Sequence, residues 1–145
     1  MYSDDSVLKQ LSRGECLKLM ASVPVGRVIY TQRALPAVAL VNFALHHGDI
    51  VIRTDGGGKL AASVCGAVVA FEVDCLDPAQ HAGWSVTAIG PSRGVTDPGE
   101  IGRLQEIGLS SWAPEAREHF IRISPVMLTG RYLCADDQRL AHLAG

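Results

Sequence analysis

The sequence predicts a mainly β domain with short α segments: six or seven antiparallel strands forming a small barrel, with two to three short helices. Three observations lead there. Runs rich in Val, Ile and Phe recur along the chain, punctuated by Gly, Pro and polar turns. Segments with helical spacing are few and short. The strand-like runs also follow one another closely enough for a meander.

Taken in order, "LSRGECLKLMASV" sets Ser12 three residues before Glu15, a capping-box pattern, and Leu17, Met20 and Ala21 share one helical face. Pro24 and Gly26 end that helix, and "GRVIYTQ" has the β-branched and aromatic content of a strand. "LPAVALVNFAL" and "DIVIRTD", joined by "HHGD", read as a hairpin whose register puts Val51 and Arg53 on one face. "KLAASVC" has room for about two helical turns before Gly66. "AVVAFEVDCL" is a strand ending at Asp77-Pro78, and "WSVTAIGPSRGVTD" is a long strand with a kink or bulge expected near Gly90-Pro91. Asp97-Pro98 begins a helix carrying Ile101, Leu104 and Ile107 or Leu109, with Gly108 as its cap. "HFIRISPVMLTGRYL" closes the fold in strands. The 145 residues suit one domain, 1–145, with 1–10 and 136–145 expected to fray.

Composition narrows the function. Thirteen Lys and Arg against fifteen Asp and Glu give a net charge of −2, which offers a polyanion no broad attraction, so nucleic acid is not an expected partner. "MYSDDSVLKQ" lacks an export signal and the apolar runs fall short of the ~20 residues of a membrane span, so the expectation is a cytoplasmic protein with no membrane partner. Cys16, Cys65, Cys75 and Cys134 lie far apart without zinc-ligand spacing and read as reduced, mostly buried thiols.

The stretch "RTDGGGKLAASV" invites a chemical reading. A nucleotide-triphosphate loop needs glycine where Arg53 stands and Ser or Thr where Leu60 stands, and a dinucleotide fingerprint needs a parallel crossover rather than a hairpin. A simpler anion site survives: Arg53 at a strand end, the Thr54 hydroxyl, pliable glycines and Lys59 at the start of a helix suit a terminal phosphate monoester. An ordinary turn with two solvated charges fits the same spacing.

The ordered run "GRVIY … LPAVALVNFAL … DIVIRTDGGGKLAASV … VVAFEVD … GWSVTAIGPSRGVTD … WAPEAREHFIRISPVMLTGRYL" resembles the pyridoxamine 5′-phosphate oxidase-like, FMN-binding split-barrel family, and within it the flavin-nitroreductase-related bacterial branch. The resemblance implies a split barrel, a homodimer and FMN in a groove between protomers. It implies Arg53, Thr54 and Lys59 on the FMN phosphate, with Leu60 beside it, and Val41, Asn42 and Phe43 along the isoalloxazine edge. Trp84 and Ser85 would reach the cofactor from the partner subunit, and Trp112 and Arg122 are further candidate contacts. Gly57-Gly58 stand where relatives often have Gly-Ser, which removes one hydroxyl ligand.

Competing readings stay open for several of these. Trp84 equally suits a barrel-end filler and Trp112 suits packing, whereas Asn42 in an apolar strand needs polar partners. His46 and His47 read as solvent-facing turn residues, and Arg93 and Arg103 as surface charges. The implied activity is hydride transfer between FMN and a small substrate or a nicotinamide donor, with no catalytic side chain and no metal assigned. Alternatives are an F420-dependent split-barrel reductase and a non-catalytic flavin- or haem-binding dimeric module.

Overall fold

The computed structural model describes residues 7–54, 59–109 and 119–134. The strands are β1 (Val7–Gln10), β2 (Val25–Gln32), β3 (Leu35–His46), β4 (Asp49–Thr54), β5 (Val68–Asp77), β6 (Ala82–Val95), β7 (His119–Ile123) and β8 (Met127–Cys134). The helices are α1 (Arg13–Met20), α2 (Lys59–Val64) and α3 (Pro98–Gln105). The sheet runs β1-β8-β6-β5-β2-β3-β4-β7, and a further β6–β7 pairing closes six of these strands into an antiparallel barrel. Strands β8 and β1 extend the sheet beyond β6. Residues 7–10, expected to fray, instead pair with β8.

Closure depends on β6 changing partners. It pairs with β8 from Gly83 to Ile89 and with β7 from Ser92 to Val95. The kink expected at Gly90-Pro91 is this exchange point. The Ser124 carbonyl presses against Gly90 so closely that a Cβ there would overlap its oxygen. Proline at 91 still accepts through its carbonyl, from Ser124 N at 3.0 Å.

Inside the barrel, Val28, Phe43, Ile50, Ile52, Phe71, Val86, Ile121 and Ile123 form the main core. Its helical lid is α1, started by the Ser12–Glu15 capping box and contributing Cys16 and Met20, while Leu17 is half-buried. A second cluster lies outside the barrel wall, where α3 lays Leu104 over Val51, Val95 and Phe120. Asp97 starts α3 by accepting from Glu100 N at 2.9 Å, with proline in its first turn. The expectation of buried thiols holds for Cys16 and fails for Cys65 and Cys75, which are exposed.

Candidate functional site

Strand β3 is where the barrel splits. Its residues 35–42 pair with β2, and only residues 43–46 pair with β4. The β3–β4 pairing stops at Phe43↔Ile52; continued by one residue it would join Asn42 to Arg53, which keeps only its pairing to Phe120 of β7 on the other edge of β4. From Asn42 back to Leu35, the β3 edge that faces away from β2 has no strand partner among the described residues.

The β2–β3 turn fixes which groups line that edge. Arg33 and Ala34 form a two-residue turn with φ of 52° and 63°, closed by Gln32 and Leu35. In such a turn the closing residues hydrogen-bond to each other, and alternation then aims the main-chain groups of Val38, Leu40 and Asn42 at the split. Pro36, which has no N–H to offer, falls in the same phase. Helix α2 faces the far end of this edge: Ala62 and Ser63 share with Gln32, Arg33, Leu35, Pro36 and Ala37 a cavity of about 610 Å³. That cavity does not reach Arg53, which stands at the opposite end of the open edge.

Arg53 and Asn42 share the outer face of the wall, as the hairpin register requires. The Arg53 guanidinium lies 5.9 Å from the centroid of the Phe120 ring and donates through Nη1 to the Leu109 carbonyl at 2.9 Å, so the end of the α3 segment orients it. Thr54 has the opposite phase: it is buried, its hydroxyl donating to the His119 carbonyl at 3.4 Å. Lys59 opens α2, and Leu60 packs half-buried against the main core. Because α2 has only six residues, its dipole adds little, and any anion here rests mainly on side-chain charge. Residues 55–58 and Trp112 lie outside the described residues.

The remaining expected residues fall elsewhere on the barrel. Val41 and Phe43 point into the core, leaving only their main chain for contacts outside it. Trp84 is buried in that same core, paired with Cys75 and Tyr132, which is the barrel-filling reading. Its neighbour Ser85 is half-buried on the outer face between Asp74 and Arg131. Arg122 has a side chain only 7% exposed, and all three of its nitrogens have protein partners. Nε meets Glu100 at 2.7 Å, Nη1 meets Asp49 at 3.3 Å, and Nη2 meets His46 Nδ1 at 2.7 Å.

Arg93 completes that cluster by meeting Glu100 at 2.8 Å; it is an exposed surface charge, as the sequence suggested, and is ion-paired there. Hydrogen bonding from Arg93, reinforced by Arg122, holds the Glu100 carboxyl below its usual range. Sequence reasoning missed this network. Its one local sign was Glu100 three residues after Asp97, a capping pattern whose carboxylate turned outward to two arginines.

Comparison with known proteins decides the family. The pyridoxamine 5′-phosphate oxidase family model matches residues 12–132, spanning both the split and α3. The chain belongs to the pyridoxamine 5′-phosphate oxidase family. Within it, the chain is 37% identical over 134 residues to the uncharacterized protein Rv0080 of Mycobacterium tuberculosis, covering 89% of this chain and 88% of that one. A solved FAD binding protein from Mycobacterium smegmatis is similar at 30% identity and TM-score 0.74, over 86% of this chain and 97% of the other. A conserved protein of unknown function from Corynebacterium diphtheriae is similar at 27% identity and TM-score 0.72, over 86% and 96%. Among the described residues no group of His, Cys, Asp and Glu could hold a metal ion, and no helix is long and apolar enough to cross a membrane.

Proposed function

We propose that the split along β3 holds a flavin, FMN in the first instance, and that the protein is an oxidoreductase exchanging a hydride between it and a small substrate or nicotinamide donor. The observation that carries the reading is the coincidence at one point of an open strand edge and a fixed cation: the main-chain groups of Val38, Leu40 and Asn42 face the split where Arg53 diverges from β3. These residues fit the group. A flavin ring edge needs alternating donors and acceptors, which a free strand edge supplies at regular spacing, and a phosphate needs a charged, oriented donor, which Arg53 is. The FAD binding protein of M. smegmatis supports a flavin as the ligand class.

In this reading Arg53 and Lys59 anchor the phosphate, with Thr54 and Leu60 beside them. Asn42 and the main chain of Leu40 and Val38 orient the ring, rather than Val41 and Phe43, whose main-chain groups face β2 and Pro24. The flavin, when bound, supplies the hydride chemistry itself. The chain's tasks are to bind, orient and exclude water.

A second copy of the chain belongs to the proposal. Ile29, Val38, Leu40, Val68, Ile89 and Met127 are exposed large apolar side chains, and cross-strand registers place Ile29 beside Val38 and Ile89 beside Met127 on one outer sheet face. A contiguous apolar face of this kind is a protein-interaction surface. It adjoins the split through Leu40, so a protomer seated there would wall the groove and bring its own Ser85 and Trp84 strand near it. A cytoplasmic location, where a nicotinamide donor is available, completes the reading.

The test is an FMN titration of the wild type and the Arg53→Ala/Lys59→Ala variant, each first shown to be folded by circular dichroism. Loss of two charge-assisted contacts, about 1.5–3 kcal/mol each, weakens binding by at least 100-fold. An equal affinity in the folded double variant overturns the anchor. Because Arg53 also holds Leu109, Lys59→Ala is titrated alone as well, and a folded Lys59→Ala protein with wild-type affinity counts against the anchor too.

A further inference from the structure

His46 and His47 read from the sequence as solvent-facing residues of one turn, but His46 is bound to the barrel wall. Arg122 Nη2 lies 2.7 Å from His46 Nδ1, and Arg122 Nη1 lies 3.3 Å from the His46 carbonyl oxygen. A guanidinium offers only donors. The ring contact is therefore a hydrogen bond only while Nδ1 carries no proton, which makes His46 neutral with its proton on Nε2. Protonation would oppose two N–H groups and set an imidazolium against a guanidinium.

The surroundings reinforce this from every side. His47 stacks edge-on at 4.1 Å between ring centroids. Asp49 at the start of β4 and Glu100 of α3 both bind Arg122, and Arg93 of β6 binds the same Glu100 oxygen. Arg103 of α3 adds a further cation toward the imidazole. Desolvation first, then His47, Arg122 and Arg103, pushes the His46 pKa below 6.5, with Glu100 opposing.

We propose that His46 is a proton-operated fastener: neutral, it accepts from Arg122 and clamps the β3–β4 turn against β7 and α3; protonated, it releases them. This holds whatever the split binds. It reaches beyond the turn because Arg122 is also the seat of Glu100 in α3, and β4, which begins at Asp49, carries Arg53 next to its last residue, where it holds Leu109 just past that helix. The sign follows from linkage. A histidine whose folded pKa lies below its unfolded value contributes stability that is present above about pH 6.5 and is lost as the pH falls below it.

The test uses the full chain. Histidine ring resonances are followed by NMR across about pH 4.5 to 8, with His47→Gln to assign the pair, and urea unfolding is compared at about pH 7.5 and 5.5 for wild type and His46→Gln. Glutamine accepts through Oε1 and does not titrate. The expected result is an Nε2–H tautomer at neutral pH, a His46 midpoint below 6.5, and a larger acid-induced drop in urea midpoint for wild type than for His46→Gln. A midpoint at or above 6.5, an Nδ1–H tautomer at neutral pH, or equal drops in both proteins overturns the proposal. Should His46→Gln fail to fold, the wild-type titration decides alone.

Discussion

Replacing Gly90 by alanine is expected to cost about 3 kcal/mol or more, and the figure can be built from the exchange point in β6. A Cβ at position 90 would overlap the Ser124 carbonyl oxygen, lying 2.8 Å from its carbon and 3.1 Å from Val126 N. Every one of these obstacles is main chain, so no rotamer change relieves them. Gly90 is not among the positive-φ glycines, so backbone conformation costs alanine nothing here. Reduced freedom of the unfolded chain even favours it by about 0.4–1 kcal/mol. Relief requires Ser124 to move, which strains its bond to Pro91 O at 3.0 Å and the Val126 N bond to Ser124 O at 2.9 Å. Those two bonds contribute roughly 1 kcal/mol each. Displacing Ile123 from the barrel core adds an overpacking cost of about 1–3 kcal/mol. Urea unfolding followed by tryptophan fluorescence should show a lower midpoint with an unchanged slope. Gly102→Ala is the matched control: nothing lies within 4 Å of its Cβ position in α3, so it should gain about 0.5–1 kcal/mol. A Gly90→Ala protein within about 1 kcal/mol of wild type would refute the close approach as the reason for glycine.

Three further outcomes are expected. Ser92→Ala should be neutral or up to about 1 kcal/mol stabilising in thermal melts, because the buried Ser92 hydroxyl has no hydrogen-bond partner among the described residues. Ala34→Gly should raise stability by about 0.5 kcal/mol, since relief of the left-handed conformation at φ 63° outweighs the entropy of glycine; a loss in chemical denaturation would contradict the turn geometry. Glu100→Gln should be less stable than wild type by about 1–2 kcal/mol at neutral pH. The folded pKa of Glu100 lies below its ordinary 4.5, so its contribution is present above that value, and the gap should close as the pH falls through the acid range.

Most elements were legible because their signals are local. The Ser12–Glu15 box and the Asp97-Pro98 start each announce a helix within four residues. His47 and Gly48, both at positive φ, make a hairpin turn of the expected kind. The β2–β3 turn was not legible as such, since Arg33-Ala34 offers neither Gly nor Asn at its two left-handed positions. Strand β1 was missed because four residues in a polar terminus show no pattern until β8 pairs with them. At the candidate site, Arg53 and its face followed from the alternation of one strand. The Arg93–Glu100–Arg122–His46 cluster joins β6, α3, β7 and β3, and no spacing along a chain can register four elements that meet only in three dimensions.

The position of the split also explains why Arg53 is charged at all. A closed barrel has no free edges, and each residue of a wall strand is then held by two neighbours. Here β3 is longer than either neighbour's reach: β2 takes its first eight residues and β4 its last four, so the strand passes from one partner to the other with little overlap. Such a hand-over leaves two half-edges facing opposite ways. One lies beside Phe43–Leu45 and is partly closed by the α1–β2 connection, where Phe43 N donates to Pro24 O at 3.2 Å. The other, from Leu35 to Asn42, faces the split with no strand beside it among the described residues. An apolar residue at the mouth of that second half-edge would favour a further strand and hence edge-to-edge association. Arg53, its guanidinium turned to Phe120 and Leu109, sets a charge at that mouth instead, which opposes such pairing and is the feature on which the proposed phosphate anchor rests.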